Sequence, residues 1–377
     1  MAAFDVIIIG AGVVGASLAW RLAPSCSVVI VEGEDQPGYH STGRSAAHYT
    51  DAIGGAVVQA LSAATRPFLE SPPPGFTDVS LIRRRPVLLL FGTGTRDAAF
   101  TLQGLGHVIG HQLFELDREE CLERCPVLRP EKIESGLWEP AAGDIDVHAI
   151  HGAYLRAARA AGATMLRNAP VTRMEHRSGV WRVTVPGRTL EAPVVANCAG
   201  AWGDVVGRMA GAAPVGLVPM RRTAFTFRGP AGMDHGAWPL VADDGENFYF
   251  KPDAGLILGS LADEQPSVPC DAAPEEMDLA LAAHRIMEWT TLDIRRMESR
   301  WAGLRSFVPD RLPVTGFDPE CEGFFWNVGQ GGAGIQTSTS LSAYAASVIL
   351  GSKLPQELID AGLDPGTLSP SRSGGAR

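Results

Sequence analysis

The chain has 377 residues, 45% of them hydrophobic and 20% charged. That length suits roughly two domains of about 150 residues and leaves no room for wholesale disorder. Its 32 basic against 42 acidic residues give a net charge of −10, which argues against a nucleic-acid partner, since a phosphate backbone favours a basic patch or stripe.

The start is apolar but carries Asp5, has no Lys or Arg ahead of it, and is broken at once by Gly10, Gly12 and Gly15. It is therefore not expected to be a signal peptide. Residues 6–9 are all β-branched, the mark of a strand buried on both faces. A helix is expected over 13–22 and a second strand over 27–31, ending at Glu32. Between the first strand and the helix lies Gly10-x-Gly12-x-x-Gly15. Gly10 allows a tight turn, Gly12 lets a pyrophosphate approach the backbone, and Gly15 permits close helix–strand packing. Glu32 stands where a carboxylate would take the ribose hydroxyls, and it disfavours a 2′-phosphate.

The small-residue stretch PGYHSTGRSAAHYT (37–50) follows that acid. Such a segment can pass close to a flat isoalloxazine ring. SPPPG (71–75) is a rigid loop, and the Arg83 to Arg85 run is expected to be a solvated edge, with contact to an anionic membrane or an electron acceptor as the other reading. Half-buried strands are expected over 83–91, 181–185, 220–227 and 247–260, and a helix over 275–288. In 220–227, alternation sets Arg222, Ala224 and Thr226 opposite Phe225 and Phe227; in 247–251 it sets Tyr249 and Lys251 opposite Phe248 and Phe250. Each strand thus has an apolar face for the core and a polar face that could roof a ligand. Arg221 is expected in a surface ion pair.

His107 and His111 have metal-like spacing but lack an obvious third ligand, so a surface loop is expected. Asp144 and Asp146 are explained by a strand-end turn. The six cysteines form no CxxC pair and suggest reduced thiols in a cytoplasmic protein. No stretch of about 18 apolar residues occurs, so no integral membrane span is expected. A strand over 194–197 leads into Cys198-Ala-Gly-Ala-Trp202, and GQGGAG (329–334) opens a helix-like stretch over 335–350. A helix end there would stabilise the negative charge of a reduced flavin. Three separate glycine-rich strand ends suit one long cofactor, FAD, better than NAD. The tail after about residue 363 is expected to fray.

These segments, with FYFKPDAG (248–255), TTLDIRR (290–296), WAGLRSF (301–307) and GIQTS (334–338), resemble the D-amino acid oxidase superfamily of flavoproteins, most of all the bacterial D-arginine dehydrogenases. The resemblance runs over nearly the whole chain. It implies an α/β fold, a Rossmann-type FAD-binding domain interleaved with a mostly antiparallel-sheet (α+β) substrate domain. The division expected is 1–50, 144–213 and 300–366 for FAD, 51–143 and 214–299 for substrate, and a flexible tail over 367–377.

The resemblance also implies residue roles. Arg222, Arg305 and Tyr249 would bind a substrate carboxylate, and His48 would stand beside the flavin and the substrate amine. Gly332, Gln336, Thr50, Leu240 and Ala242 would line the site. FAD would be held by Gly10, Gly12, Val13, Val14, Gly15 and Glu32, then by Ser41, Thr42, Ser45, Ala46, Ala47 and His48. Val171, Gly200 and Trp202 would follow, then Gly331, Gly332, Gly334, Ile335, Gln336 and Thr337. No cysteine falls in 303–307, so the FAD is expected to be non-covalent. Val87 and Ile53 stand where the D-arginine enzymes carry a glutamate and a tyrosine, which leaves the pocket less polar.

The activity implied is oxidative deamination of a D-amino acid of apolar side chain, with quinone or oxygen as electron acceptor. Oxidation of N-alkylated or cyclic amino acids, or of 2-hydroxy acids, is the rival within enzymes; a non-catalytic FAD-binding sensor is the rival outside them.

Overall fold

Val6–Ile9 lies in the middle of a six-stranded sheet, where every one of its side chains is buried. The computed structural model describes residues 2–52, 54–92 and 113–373. The sheet runs Thr164–Leu166, Val28–Val31, Val6–Ile9, Val194–Asn197, Phe324–Val328, Val314–Phe317, all parallel except the last. Alternation divides its contacts. Val6, Ile8, Val28 and Ile30 cluster with Leu18, Leu22 and Ala345 of the helices Val13–Leu22 and Ser338–Ile349. Ile7, Ile9, Val29 and Val31 cluster instead with Trp181, Val183 and Leu190 of a small four-stranded sheet. Apolar residues on both faces are what a covered parallel sheet requires.

The second body is a nine-stranded, mostly antiparallel sheet. Phe225, Phe227, Phe248 and Phe250 turn one way, into a core closed by Leu279, Ala282 and Ile286 of the helix Glu276–Trp289. Cys121 and Cys125 are buried in that same core. The opposite face carries Arg222, Tyr249 and Lys251, as the alternation anticipates.

Several elements differ from the sequence reading. The strand expected over 83–91 is two strands in different sheets, Ile82–Arg84 and Val87–Phe91, because Pro86 breaks the ladder between them. The strand expected over 247–260 is a hairpin of Tyr249–Asp253 and Leu256–Ser260, turned by Ala254 and Gly255 at positive φ. Ser299–Phe307 pairs along Val218–Phe227 in the large sheet, so the chain returns to the nucleotide sheet after residue 307 rather than at 300. The helix expected over 335–350 starts at Ser338, three residues late, because residues 335–337 complete the glycine turn.

The tail is not frayed as far as Ser373. Leu368 is buried with Leu358 and Leu363, and Arg372 pairs with Asp310. Ile53, His107 and His111 lie outside the described residues. Among the described residues, no helix is long and apolar enough to cross a membrane.

Candidate active site

The glycine turn is built by contact. Gly10 has φ +102°, and a Cβ on it would lie 2.5 Å from the Cys198 carbonyl oxygen. A Cβ on Gly15 would lie 1.9 Å from the carbonyl oxygen of Gly10. Only glycine fits either place. The helix that follows has no acid in its first turn, and its Val13 N–H donates to Thr42 Oγ1 at 3.0 Å. Glu32 accepts from the Ala11 N–H at 2.7 Å and the Glu34 N–H at 3.0 Å, which fixes its carboxylate beside the turn.

A cavity of about 470 Å³ opens here. Its wall includes Gly10, Gly12, Val13, Val14 and Glu32, then Ser41, Thr42, Ser45 and Ala46. Val171, Gly200 and Trp202 continue it, and Gly331, Gly332, Gly334 and Ile335 close it. It ends at Arg222, Tyr249 and Arg305 on the large sheet. The 37–50 arm ties the two bodies together. Ser41 Oγ donates to the Leu304 carbonyl at 2.6 Å, Arg44 Nη1 to the Ala272 and Ala302 carbonyls, and Trp301 Nε1 to the Arg44 carbonyl.

Other expected residues lie behind this wall. Gly15 is packed against Gly10, and Thr337 is only 1% exposed. Ala47, at φ 46°, is likewise buried. Gln336 is buried, bonded through Nε2 to the Thr50 carbonyl and Ser62 Oγ. Gln336 Oε1 in turn accepts from the Thr50 N–H. Val87, Leu240 and Ala242 share the face of Tyr249: Tyr249 is opposite Ala242, and Val87 lies between Leu240 and Glu139.

Two guanidinium groups converge at the far end. Arg222 is opposite Gly303, and Arg305 follows two residues on along that strand. Gly332 lies against Arg305: a Cβ there would be 3.1 Å from its guanidinium carbon. Arg305 has no ion-pair partner among the described residues. Burial first, then the charge of Arg222, push its pKa down to about 10. Arg222 makes one long contact, 3.4 Å, to Glu264, which Arg311 also holds, and its buried Nε has no partner. Two cations at one cavity end with so little counter-charge can hold an anion, and the planar forks suit a carboxylate. Arg221, one residue away, pairs with Glu275 and Asp278 as expected.

The sequence reading missed a buried ionic group beside the clamp. Asp144 is not explained by a turn. It contacts His48 Nδ1 at 3.2 Å, Lys251 Nζ at 2.7 Å and Arg85 Nε at 2.5 Å. Only Arg83 and Arg84 of the arginine run are exposed; Arg85 is buried. Asp146 instead caps the helix Val147–Ala160. Burial would raise the Asp144 pKa, but the His48 hydrogen bond and the Lys251 and Arg85 partners hold it well below the usual carboxylate range. His48 is pushed down, by burial first. The available signal was Lys251, a charge on the ligand-facing side of its strand.

Glu139 was missed as well. It is 3% exposed and accepts from Thr50 Oγ1 at 2.6 Å and the Asp51 N–H at 2.7 Å. Burial raises its pKa to about 7 despite both bonds. At low pH the carboxyl is protonated in the folded and unfolded chain alike, and it costs nothing. As pH rises from about 4.5 to about 7 the unfolded chain ionises first, so stability falls; above that the cost is constant. Glu139→Gln is therefore expected to gain on the parent protein between pH 5 and pH 8, by up to roughly 3 kcal/mol. Denaturant unfolding at both pH values checks this; an equal difference at both would contradict it.

The comparisons with known proteins bear on the family and its cofactor. The family model described as FAD dependent oxidoreductase matches residues 5–348. Human mitochondrial sarcosine dehydrogenase is 29% identical over 250 residues, 62% of this chain and 27% of that protein. The D-amino acid dehydrogenase 3 of Mesorhizobium japonicum is 26% identical over 230 residues, 58% of this chain and 53% of that protein. The chain thus spans little more than a quarter of the sarcosine dehydrogenase and about half of the other. Glycine oxidase from Geobacillus kaustophilus superposes with a TM-score of 0.86 at 22% identity, over 99% of both chains, a likeness of fold. The glycine cradle, the placed Glu32 and the elongated cavity fit the cofactor that this family uses. The chain belongs to the FAD-dependent oxidoreductase family, with FAD as its cofactor.

Proposed function

We propose that the protein oxidises D-amino acids with apolar side chains to the imino acids, which water converts to 2-oxo acids and ammonia. The observation that carries this reading is the Arg222–Arg305 pair at the cavity end, joined by Tyr249. FAD, when bound, supplies the two-electron acceptor. The chain's own work is positional. Arg305 and Arg222 grip the carboxylate, and the Tyr249 hydroxyl donates to it. With the carboxylate fixed, the α-carbon is held at one place in the cavity, an effect that can supply much of the rate. The amine must be neutral for oxidation, a step in which the resemblance gives His48 its part.

The likeness to the D-arginine dehydrogenases and the D-amino acid dehydrogenase 3 relative support the D configuration. The sarcosine dehydrogenase relative favours a second reading, an N-methylated amino acid, which the same clamp would hold. Product analysis separates them: ammonia is expected, and methylamine or formaldehyde would favour the second. Quinone or oxygen takes the electrons onward.

The FAD is non-covalent in this reading. Purified protein is expected to be yellow and to release all of its FAD into the supernatant on acid precipitation. Colour that stays with the precipitate would overturn this. Gly12→Val is expected to yield protein without bound FAD, because the new side chain fills the cradle beside Thr42.

A further inference from the structure

Glu264 immediately precedes the short strand Gln265–Pro266, which pairs with the strand that carries Arg222. Both of its neighbours are pinned to that strand. Asp263 is buried and accepts from the Thr223 N–H at 2.7 Å and the Thr223 hydroxyl at 3.1 Å. Gln265 is opposite Arg221 in the antiparallel pair. The register therefore sets Glu264 beside Arg222, with its Oε1 3.4 Å from Arg222 Nη2. Arg311 draws the carboxylate the other way. Its Nη2 donates to both Glu264 oxygens, at 2.9 Å and 3.0 Å, and its guanidinium lies 3.8 Å from the centroid of the Phe307 ring. Burial would raise the Glu264 pKa, but the Arg311 hydrogen bond and the charges of Arg311, Arg222 and Arg305 hold it below its ordinary value. Glu264 is thus ionised at neutral pH. Arg222 and Arg305 both line the cavity. A carboxylate arriving there meets two cations and an anion already in residence, and like charges repel.

Resting on the function proposed above, in which Arg222 and Arg305 hold a carboxylate, we propose that Glu264 and Arg311 set how tightly they hold it. Glu264 is the resident counter-ion of the clamp, and its charge weakens the grip on any carboxylate, substrate or product. Arg311 restrains Glu264 from closing on Arg222, which keeps the clamp open to the ligand. Without the acid, two uncompensated cations would retain the product. Without Arg311, the clamp would be occupied by the protein's own carboxylate.

The test is calorimetric titration of FAD-bound protein with acetate and with 4-methylpentanoate, a leucine-like carboxylate without the amine. Glu264→Gln keeps an oxygen for Arg222 and Arg311 and removes only the charge. Its Kd for both probes is expected to fall by about fivefold or more. Arg311→Met frees Glu264 to pair with Arg222, and Kd is expected to rise by a similar factor. In the double variant the effect of Arg311→Met should shrink, because the acid through which it acts has lost its charge. A Glu264 that only held the fold together would act in the opposite direction, loosening the clamp when changed and raising Kd. A Kd that rises in Glu264→Gln, or stays within about twofold of the parent, would overturn the proposal even if Arg311→Met does not fold. So would an Arg311→Met variant whose Kd does not rise, or whose effect keeps its full size in the double variant. Acetate has no side chain to match, so a wrong substrate class and a wrong role for Glu264 give different results. A parent protein that binds neither probe would overturn the clamp and this proposal together.

Discussion

Arg305→Met is expected to raise KM for the amino acid substrate by about 2–5 kcal/mol, roughly thirtyfold to several-thousandfold, and Arg222→Met by a similar amount. Arg305 is partly buried beside a like charge and has no ion-pair partner among the described residues, Glu264 and Glu246 acting on it only at longer range, so its charge is stabilised fully only when an anion arrives. Arg222 already shares Glu264 with Arg311, which offsets part of its cost. Removing either cation leaves the substrate carboxylate half-paired. The two losses should not add, since both groups grip one carboxylate. A structural role would look different: a residue that holds the fold together loses stability when truncated. Here Arg305→Met relieves repulsion with Arg222, and its melting temperature is expected to be unchanged or higher. Unaltered KM in both variants, or a large fall in melting temperature with Arg305→Met, would contradict the assignment.

D-methionine, D-leucine and D-phenylalanine are expected to exceed D-arginine in kcat/KM by at least tenfold, equivalent to about 1.4 kcal/mol, with an artificial electron acceptor. A guanidinium entering a closed pocket loses its hydration, and an unpaired buried charge is costly. Val87, which the resemblance places in that pocket, offers no compensating charge. Its neighbour in register, Leu240, is apolar. The acid on its other side, Glu139, has its oxygens engaged by Thr50 and Asp51, and burial favours its protonated form up to about pH 7. The acids ahead of Tyr249 do not fill the gap. Asp243 is buried and accepts from Asn247 and Phe248, and Glu246 is exposed. Apolar side chains carry no such cost and gain about 25 cal/mol for each Å² buried. Val87→Glu should then move the preference toward D-arginine. Faster turnover of D-arginine by the parent protein would refute the pocket reading.

The nucleotide end of the molecule was legible because its signals are local. Gly10, Gly12, Gly15 and Glu32 lie within a single strand–helix–strand unit, where spacing alone dictates the contacts. Alternation likewise set Arg222 and Tyr249 on the polar faces of their strands, with Phe225 and Phe250 on the opposite faces. What stayed hidden depended on distant pairings. Asp144 looks like an ordinary turn acid until the strands His48–Tyr49, Gly143–Ile145 and Ile82–Arg84 form one sheet. Only then do His48, Arg85 and Lys251, up to 107 positions from Asp144 in sequence, surround it. Glu139 was hidden in the same way, since its partners Thr50 and Asp51 lie in a different strand region. Pro86 was a local signal that should have divided the strand expected over 83–91. The tail misled because Ser, Gly and Pro suggest fraying, whereas Leu368 and Arg372 find specific partners on the body.

The central claim, that the clamp holds an amino acid for oxidation by bound FAD, is tested most directly by mixing FAD-bound protein with single amino acids without oxygen and following the flavin absorbance. Bleaching within the mixing experiment is expected with D-methionine, D-leucine and D-phenylalanine, and not with their L-enantiomers, with sarcosine or with 2-hydroxy acids. An absorbance that none of these compounds bleaches would contradict the account, and bleaching by sarcosine alone would replace the substrate class proposed here.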